Sequence, residues 1–126
     1  MKRILITVVI LAVTLTTAIL ELNYISSQAD NYTDRIKHID KLANKENFIE
    51  AEAECRKMEE DWNKGLNTVN AMLIHDYIDE IGLNISRMKI YLKNSDASMY
   101  FAESEGAKKG LASIKESEFP YLENIL

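Results

Sequence analysis

The chain has 126 residues, the size of one domain, and its apolar content of 47% is too high for a disordered protein. Its formal net charge is −5, and the only two charges among the first 20 residues are basic, so the remainder carries about −7. That acidic remainder argues against nucleic acid and against broad adhesion to anionic lipid, because both require a basic face. The single cysteine excludes an intramolecular disulfide, so packing alone must hold the fold together.

The chain begins with an apolar run, residues 4–20, that contains no charge. A helix that spans a bilayer needs about 20 apolar residues, with a range of about 17 to 25. We therefore predict a transmembrane anchor over residues 1–21. A cleaved signal peptide is the alternative, because Thr16 and Ala18 are small enough to precede a cut. We favour the retained anchor, since an apolar pattern continues through the would-be cleavage site.

The charges that flank this run predict its orientation. Lys2 and Arg3 precede it and Glu21 follows it. By the positive-inside rule, this places the N-terminus in the cytoplasm and the bulk of the chain outside the cell membrane, as a single-pass protein. Since only three residues precede the run, we expect no cytoplasmic output domain.

Beyond the run, apolar residues recur at alternating spacings of four and three, the pattern of a helix that packs on other helices. We call these positions the α1 seam, and expect the anchor to continue into the bundle as one helix. The seam consists of Ala18, Leu22, Ile25, Ala29, Tyr32, Ile36, Ile39 and Ala43.

Three more helices are predicted from the same kind of spacing. The second has its seam at Phe48, Ala51, Cys55, Met58 and Trp62. The third covers about residues 66–93, with a seam at Leu66, Val69, Leu73, Tyr77, Ile81, Ile85, Met88 and Leu92. The fourth has its seam at Ala97, Tyr100, Ala107, Leu111 and Ile114, and its small residues Ser104, Gly106 and Gly110 would let a neighbour approach closely.

The breaks between these helices carry capping signals. Asn47 is a good N-cap, and Glu50 three residues later completes a pair that resembles a capping box. Gly65 suits a helix C-terminus. Either Ser95 or Asp96 can cap the fourth helix. No internal repeat is visible in the sequence.

These patterns predict an all-α fold, in which an N-terminal transmembrane helix continues into an antiparallel bundle of three to four helices. Short links make consecutive helices antiparallel neighbours. The predicted bundle covers residues 22–118, and residues 119–126 form an apolar C-terminal tail.

The sequence offers little for chemistry. His75 and Asp79 share one helical face and make half of a metal site. We expect a hydrogen bond within the helix there instead, with no metal bound. Catalytic motifs are absent, Cys55 falls on a seam, and the acidic face of the second helix is typical of a solvated surface. We therefore expect no enzyme activity, no catalytic residues and no cofactor.

Nearly the whole chain resembles a known bacterial family, and its second half is the more diagnostic part. The residues that carry the likeness are the segments HDYIDEI at 75–81, RMKIYL at 87–92 and LENI at 122–125, together with Asp96, Glu105 and Leu111. They are similar to domain-of-unknown-function family 4363 of clostridia and their relatives. The resemblance implies an anchored extracytoplasmic helical domain without an assigned activity. It also implies a partner, a multi-span membrane protein of the YetF-like kind encoded beside members of the family.

We therefore expect a non-enzymatic interaction module, an auxiliary subunit of a membrane protein complex. A small-ligand or cation-binding sensor that acts through a partner is the first alternative, and a divisome-like coiled-coil scaffold is the second. The tail supplies the candidate partner-binding residues, although it would equally well cap the base of the bundle. These residues are Tyr121, Leu122, Ile125 and Leu126.

Overall fold

Four helices follow one another along the chain: α1 (Lys2–Asn44), α2 (Phe48–Gly65), α3 (His75–Lys93) and α4 (Ala97–Glu118). The structure is a computed structural model that describes residues 1–65 and 75–118, apart from the side chains of His75, Ser117 and Glu118. Within these residues there is no strand. Each helix packs on the next, and α4 packs on α1 to close the ring. The predicted all-α bundle is therefore confirmed.

Helix α1 is continuous but has two different halves. Its apolar N-terminal half is exposed throughout, and it is long and apolar enough to cross a membrane, a property that a signal sequence near an N-terminus shares. Its C-terminal half buries Ala29, Ile36, Ile39 and Ala43, as the α1 seam predicted. Ala18, predicted as the first seam position, is exposed. Within the described residues, Ala29 is the first residue of α1 that the other helices bury.

The seams of α2 and α4 are confirmed, whereas that of α3 is shifted at its start. Ala51, Cys55, Met58 and Trp62 of α2 are buried, and so are Tyr100, Ala107, Leu111 and Ile114 of α4. In α3 the prediction of Tyr77 was wrong: it is 39% exposed, and Ile78 is buried instead. A packed seam alternates steps of three and four, and Ile78 keeps that alternation whereas Tyr77 requires two successive steps of four. The predicted third-helix positions 66–74 lie outside the described residues.

The two hairpins turn in the same way. Two residues after the end of α1, Glu46 has φ 58°, and two residues after the end of α3, Ser95 has φ 56°. In each turn, the N–H of the next residue donates to the carbonyl oxygen five positions earlier. Asn47 N–H donates to Leu42 O at 3.0 Å, and Asp96 N–H donates to Tyr91 O at 2.9 Å. This is a Schellman ending.

A side chain closes the start of the next helix at each turn. Asp96 Oδ1 accepts from the N–H of Met99 at 3.1 Å, so Asp96 rather than Ser95 is the cap of α4. At the other turn, Asn47 and Glu50, the pair that resembled a capping box, are joined by a hydrogen bond between their side chains. Asn47 Nδ2 donates to Glu50 Oε2 at 2.7 Å.

The hairpins also share a burial pattern, although no repeat is visible in residue identity. Each position of the first hairpin corresponds to one 49 residues later, as Glu46 does to Ser95. Eight buried residues of the first hairpin have a buried counterpart in the second. The pairs are Ala29 with Ile78, Ile36 with Ile85, Ile39 with Met88, Ala43 with Leu92, Ala51 with Tyr100, Cys55 with Ser104, Met58 with Ala107 and Trp62 with Leu111.

Glycines bring α3 and α4 close together, as the small residues of α4 predicted. A Cβ added at Gly110 would lie 2.6 Å from Ile81 Cγ1, and one at Gly106 would lie 3.3 Å from Asn84 Nδ2. Ile81 is fully buried, and its Cγ1 lies at the branched start of the side chain, so it has little room to yield.

Gly110→Ala should lower the thermal midpoint of the full-length protein in detergent, because overpacking a core costs about 1 to 3 kcal/mol. Helix propensity alone would favour alanine by about 1 kcal/mol, so the sign of the change identifies the close contact. Gly65→Ala is the matched control, since no atom of the described residues beyond its own helix lies within 4 Å of its added Cβ. Circular dichroism melts measure both variants. A higher midpoint for Gly110→Ala would contradict the α3–α4 packing.

Candidate functional site

The sequence candidates receive little support from the described residues. The side chain of His75 lies outside them, and Asp79 is exposed. Within residues 1–65 and 75–118, no group of three histidine, cysteine or acidic side chains is placed to hold a metal ion. The partner-binding candidates Tyr121, Leu122, Ile125 and Leu126 also lie outside the described residues, and their role stays a prediction.

Two polar clusters cross the bundle instead, and the first joins α1 to α4. The Asp40 carboxylate accepts hydrogen bonds from Tyr100 Oη at 2.7 Å, Ser104 Oγ at 2.6 Å and Lys108 Nζ at 2.9 Å. Tyr100 and Ser104 are fully buried. We call these four residues the Asp40 cluster.

The electrostatics of the Asp40 cluster favour a structural role. Burial lowers the pKa of Lys108, but its bonds to Glu105 and Asp40 outweigh burial and raise the pKa overall. Burial raises the pKa of Tyr100, and the adjacent Asp40 raises it further. Lys108 therefore stays protonated and cannot act as a base, and Ser104 Oγ donates its hydrogen bond to the Asp40 carboxylate. The cluster fastens two helices and activates no nucleophile.

The second cluster joins α2 to α3. The Glu59 carboxylate accepts a hydrogen bond from Ser86 Oγ at 2.6 Å and forms an ion pair with Lys89. We call these three residues the Glu59 cluster. Ser86 and Lys89 of α3 both bond to Glu59 on the neighbouring helix, so this part of α3 is a packing interface.

Cys55 lies beside the Glu59 cluster and is fully buried, as its seam position predicted. Its Sγ faces the carbonyl oxygen of Ile85 at 3.7 Å. Burial, and secondarily the negative charge of Glu59, raises the pKa of the thiol to about 12. At neutral pH it is a thiol and not a thiolate, so it is neither a nucleophile nor a metal ligand.

Sequence reasoning missed both clusters because their partners lie far apart in the chain. Asp40 and Lys108 are 68 residues apart, and Glu59 and Lys89 are 30 apart. No local spacing reports such pairs. The available signal was that Asp40 is adjacent to the seam residue Ile39, where a charge is half-buried and needs a partner.

The described residues also form a cavity of about 90 Å³ at the end of the bundle nearest the apolar half of α1. We call it the basal groove. Its wall holds the edge-to-face pair of Tyr32 and Trp62, whose ring centroids are 4.9 Å apart. Trp62 is 8% exposed, and its Nε1 has no hydrogen-bond partner among the described residues. The lining residues are Tyr24, Ile25, Gln28, Ala29, Tyr32, Trp62, Gly65, Ile78, Leu111 and Ile114.

The size and chemistry of the basal groove limit what it can bind. Pockets for small-molecule ligands occupy about 300 to 1,000 Å³ and carry several convergent polar groups. The basal groove is much smaller, and of its lining side chains only Gln28 and the rings of Tyr24, Tyr32 and Trp62 bear polar atoms. It does not lie beside a described metal-ligating cluster. These features do not resemble those of a typical small-molecule site.

The Glu59 cluster gives the bundle a predictable acid sensitivity. Burial raises the pKa of Glu59, but the hydrogen bonds from Lys89 and Ser86 outweigh burial and leave the pKa below its ordinary value. A carboxyl whose pKa is lower in the folded state stabilises that state above its unfolded pKa, about 4.3, and loses this contribution as the pH falls through the folded pKa.

Glu59→Gln should therefore lower the thermal midpoint at pH 7, by a free energy of about 1 kcal/mol, and should flatten its decline below about pH 4. Melts of the full-length protein between about pH 7 and pH 3 measure both effects. Glu60→Gln is the matched control, because Glu60 is exposed on the same helix. An identical pH profile for Glu59→Gln and the parent protein would exclude a stabilising charge at Glu59.

Comparison with known proteins gives one match, to a family model. No curated protein and no solved structure matches this chain. One family model matches residues 19–125, under the description Domain of unknown function (DUF4363). The match begins at the end of the apolar run, extends through all four helices and includes most of the tail. The chain therefore belongs to the DUF4363 family.

Proposed function

We propose that this protein is a non-enzymatic interaction module, held by a single transmembrane helix with its bundle outside the cell membrane, and that it serves as an auxiliary subunit of an integral membrane protein complex. One observation carries the proposal. The exposed apolar half of α1 continues, without a break in the helix, into the wall of the bundle. A bilayer would cover that apolar half, and the bundle would then stand directly on the membrane surface.

The span does not need a partner helix for its polar groups. The hydroxyls of Thr7, Thr14 and Thr16 bond to the carbonyl oxygens four residues back at 2.8 to 3.0 Å, and that of Thr17 bonds to Thr14 O at 2.9 Å. Lipid tolerates hydroxyls that are satisfied within their own helix. The contacts that select a partner therefore belong to the bundle.

The outer face of α3 is a suitable place for such contacts. Leu83 and Ile90 are seven residues apart, on the same side of the helix, and are 50% and 51% exposed. Arg87 lies between them and is paired with Glu103 of α4 at 3.8 Å. An apolar pair around an arginine is typical of the centre of a protein interface. A multi-span protein of the YetF-like kind is the first partner to test.

Two observations favour this proposal over catalysis and over a small-ligand sensor. The polar clusters are occupied by their own ion pairs, which favours binding over catalysis. The basal groove is too small for a typical ligand pocket, which favours an interaction module over a small-ligand sensor. A divisome-like scaffold would use the same α3 face, but its partner would be a scaffold assembly at the division site, and the mass of the partner distinguishes the two.

The proposed topology predicts which cysteine can be labelled in living cells. Ser98→Cys places a thiol at an exposed position near the start of α4, and a membrane-impermeant maleimide should label it in intact cells. The parent protein is the matched control, because buried Cys55 should stay unlabelled until the protein is denatured. The labelled protein should resist extraction by alkaline carbonate. Labelling only after lysis would contradict the orientation, and labelled protein in the soluble fraction would contradict the retained anchor.

The partner surface can be tested by photo-crosslinking from single positions of the membrane-embedded protein. A photoreactive residue at Leu83 or Ile90 should capture one protein of defined mass, identified by mass spectrometry. The same residue at Glu60, exposed on α2, is the matched control. Replacing all four threonines of the span by leucine should leave this product unchanged, because the bundle selects the partner.

Two outcomes would contradict this proposal. No product at Leu83 or Ile90, or an equal product at Glu60, would remove the α3 face as the partner surface. A product lost in the threonine-to-leucine span would move the contact into the bilayer.

A further inference from the structure

We propose that Arg87 binds a carboxylate of the partner protein, at the centre of the exposed apolar pair that Leu83 and Ile90 form on the α3 face. The inference rests on the proposed function, because it gives the chemistry of the partner at the surface already assigned to it. The occupant is a segment of an integral membrane protein, outside the bilayer, in which an acidic side chain lies between apolar ones.

The guanidinium group of Arg87 is free to bind more than its own neighbour. It is half exposed, and its ion pair with Glu103 spans 3.8 Å, which is beyond hydrogen-bond distance. Among the described residues, the guanidinium donates no hydrogen bond. It carries five N–H donors in a planar fork that matches a carboxylate. A carboxylate from another protein can therefore bind it without displacing a hydrogen bond of the bundle.

A buried amide holds the acid that positions Arg87. Asn84 is 8% exposed, and its amide, oriented to satisfy both neighbours, donates to Glu103 Oε2 at 2.8 Å and accepts from the N–H of Ala107 at 3.3 Å. The side chain of Glu103 is mostly buried, and its other oxygen, Oε1, faces Arg87. These contacts limit where the guanidinium can lie, so less conformational entropy is lost when a ligand binds it.

The first hairpin indicates that the fold does not require an apolar surface on α3. With the shift of 49 residues, three exposed residues of α1 correspond to the α3 face, and all three are polar. They are Asp34 for Leu83, His38 for Arg87 and Lys41 for Ile90. Because the hairpins share one burial pattern, packing within the bundle does not account for the apolar pair on α3. A contact with another molecule does.

A lipid headgroup is a competing source of the anion, and the height of Arg87 argues against it. The two ion pairs between the hairpins join equivalent positions in opposite directions, so neither hairpin is displaced along the bundle axis. Arg87 therefore lies at the height of its counterpart His38, which follows Leu20 by 18 residues, or about 27 Å of helix. The headgroup layer is only about 5 to 8 Å thick on each side of a bilayer.

A second copy of this chain is the other competing occupant. Two copies anchored in one membrane and joined through the same face would be related by a two-fold axis. That arrangement would bring the two Arg87 side chains together, and their like charges would repel each other. A different protein with a carboxylate at this position fits the charge.

The test uses a photoreactive residue at Ile90 of the full-length protein in its native membrane. Arg87→Gln should lower the yield of the crosslinked product by at least about tenfold, because truncating one partner of a hydrogen-bonded charge pair at an interface weakens binding by that much or more. Arg56→Gln is the matched control and should leave the yield unchanged. Arg56 is exposed on α2 and has a similar ion pair, with Glu52 at 3.7 Å. Circular dichroism melts should give both variants the midpoint of the parent protein, since surface ion pairs contribute little to stability.

Charge reversal tests the contact independently of the yield in Arg87→Gln. Mass spectrometry should place the crosslink within about one helical turn, or four residues, of an aspartate or glutamate of the partner. Arg87→Glu should abolish the product, and replacing that acid of the partner by lysine should restore it. Failure of the lysine to restore the product would overturn the proposal.

The remaining outcomes separate this inference from the proposed function. A yield that Arg87→Gln leaves unchanged, or that Arg56→Gln lowers equally, would overturn the carboxylate contact and leave the α3 face as the partner surface. No product in the parent protein would remove that surface and the contact with it. A crosslink to lipid, to a second copy or within one chain would overturn the proposal in favour of that occupant.

Discussion

Everything in this structure depends on the continuity of α1. A backbone that crosses lipid must satisfy its own hydrogen bonds, so the apolar run has to be helical. The helix does not end where the apolar run ends but continues to Asn44, and its C-terminal half supplies four of the buried core residues. One helix thus forms both the predicted anchor and a wall of the bundle. The sequence of α1 alone determines which half is apolar and exposed and which half packs against the other helices.

The polar clusters fix the alignment of helix pairs that the hairpin turns do not fix. Tight turns fix how α1 meets α2 and how α3 meets α4, but no short link joins α1 to α4. An apolar seam tolerates sliding by a turn, whereas a half-buried charge does not, because it would lose its partner. The Asp40 cluster fixes the register of α1 against α4, and the Glu59 cluster fixes that of α2 against α3. Their main contribution is therefore specificity of packing, with little net stability expected from burying the charges.

The sequence predicted what depends on local spacing. Helical periodicity predicts the buried positions Ile36 and Ile39 of α1 and the seam of α2. Small residue size predicts the close approach of α3 and α4 at Gly110. The predicted seam reached Tyr77 by steps from Leu66, Val69 and Leu73, which lie outside the described residues, whereas the buried residue is Ile78. The Asp40 and Glu59 clusters could not be predicted, because side chains that meet across a bundle leave no periodic signal in one sequence.

The two clusters have a consequence for how hairpins recognise each other. With the shift of 49 residues, Asp40 corresponds to Lys89, and Glu59 corresponds to Lys108. The two ion pairs therefore join equivalent positions, with the acid and the lysine exchanged. The first hairpin carries only acids at these positions and the second only lysines. Two first hairpins from different molecules, packed in the same way, would bring Asp40 against Glu59, and two second hairpins would bring lysine against lysine. Although the hairpins share one burial pattern, these charges favour the pairing of unlike hairpins over the pairing of like hairpins in the same geometry.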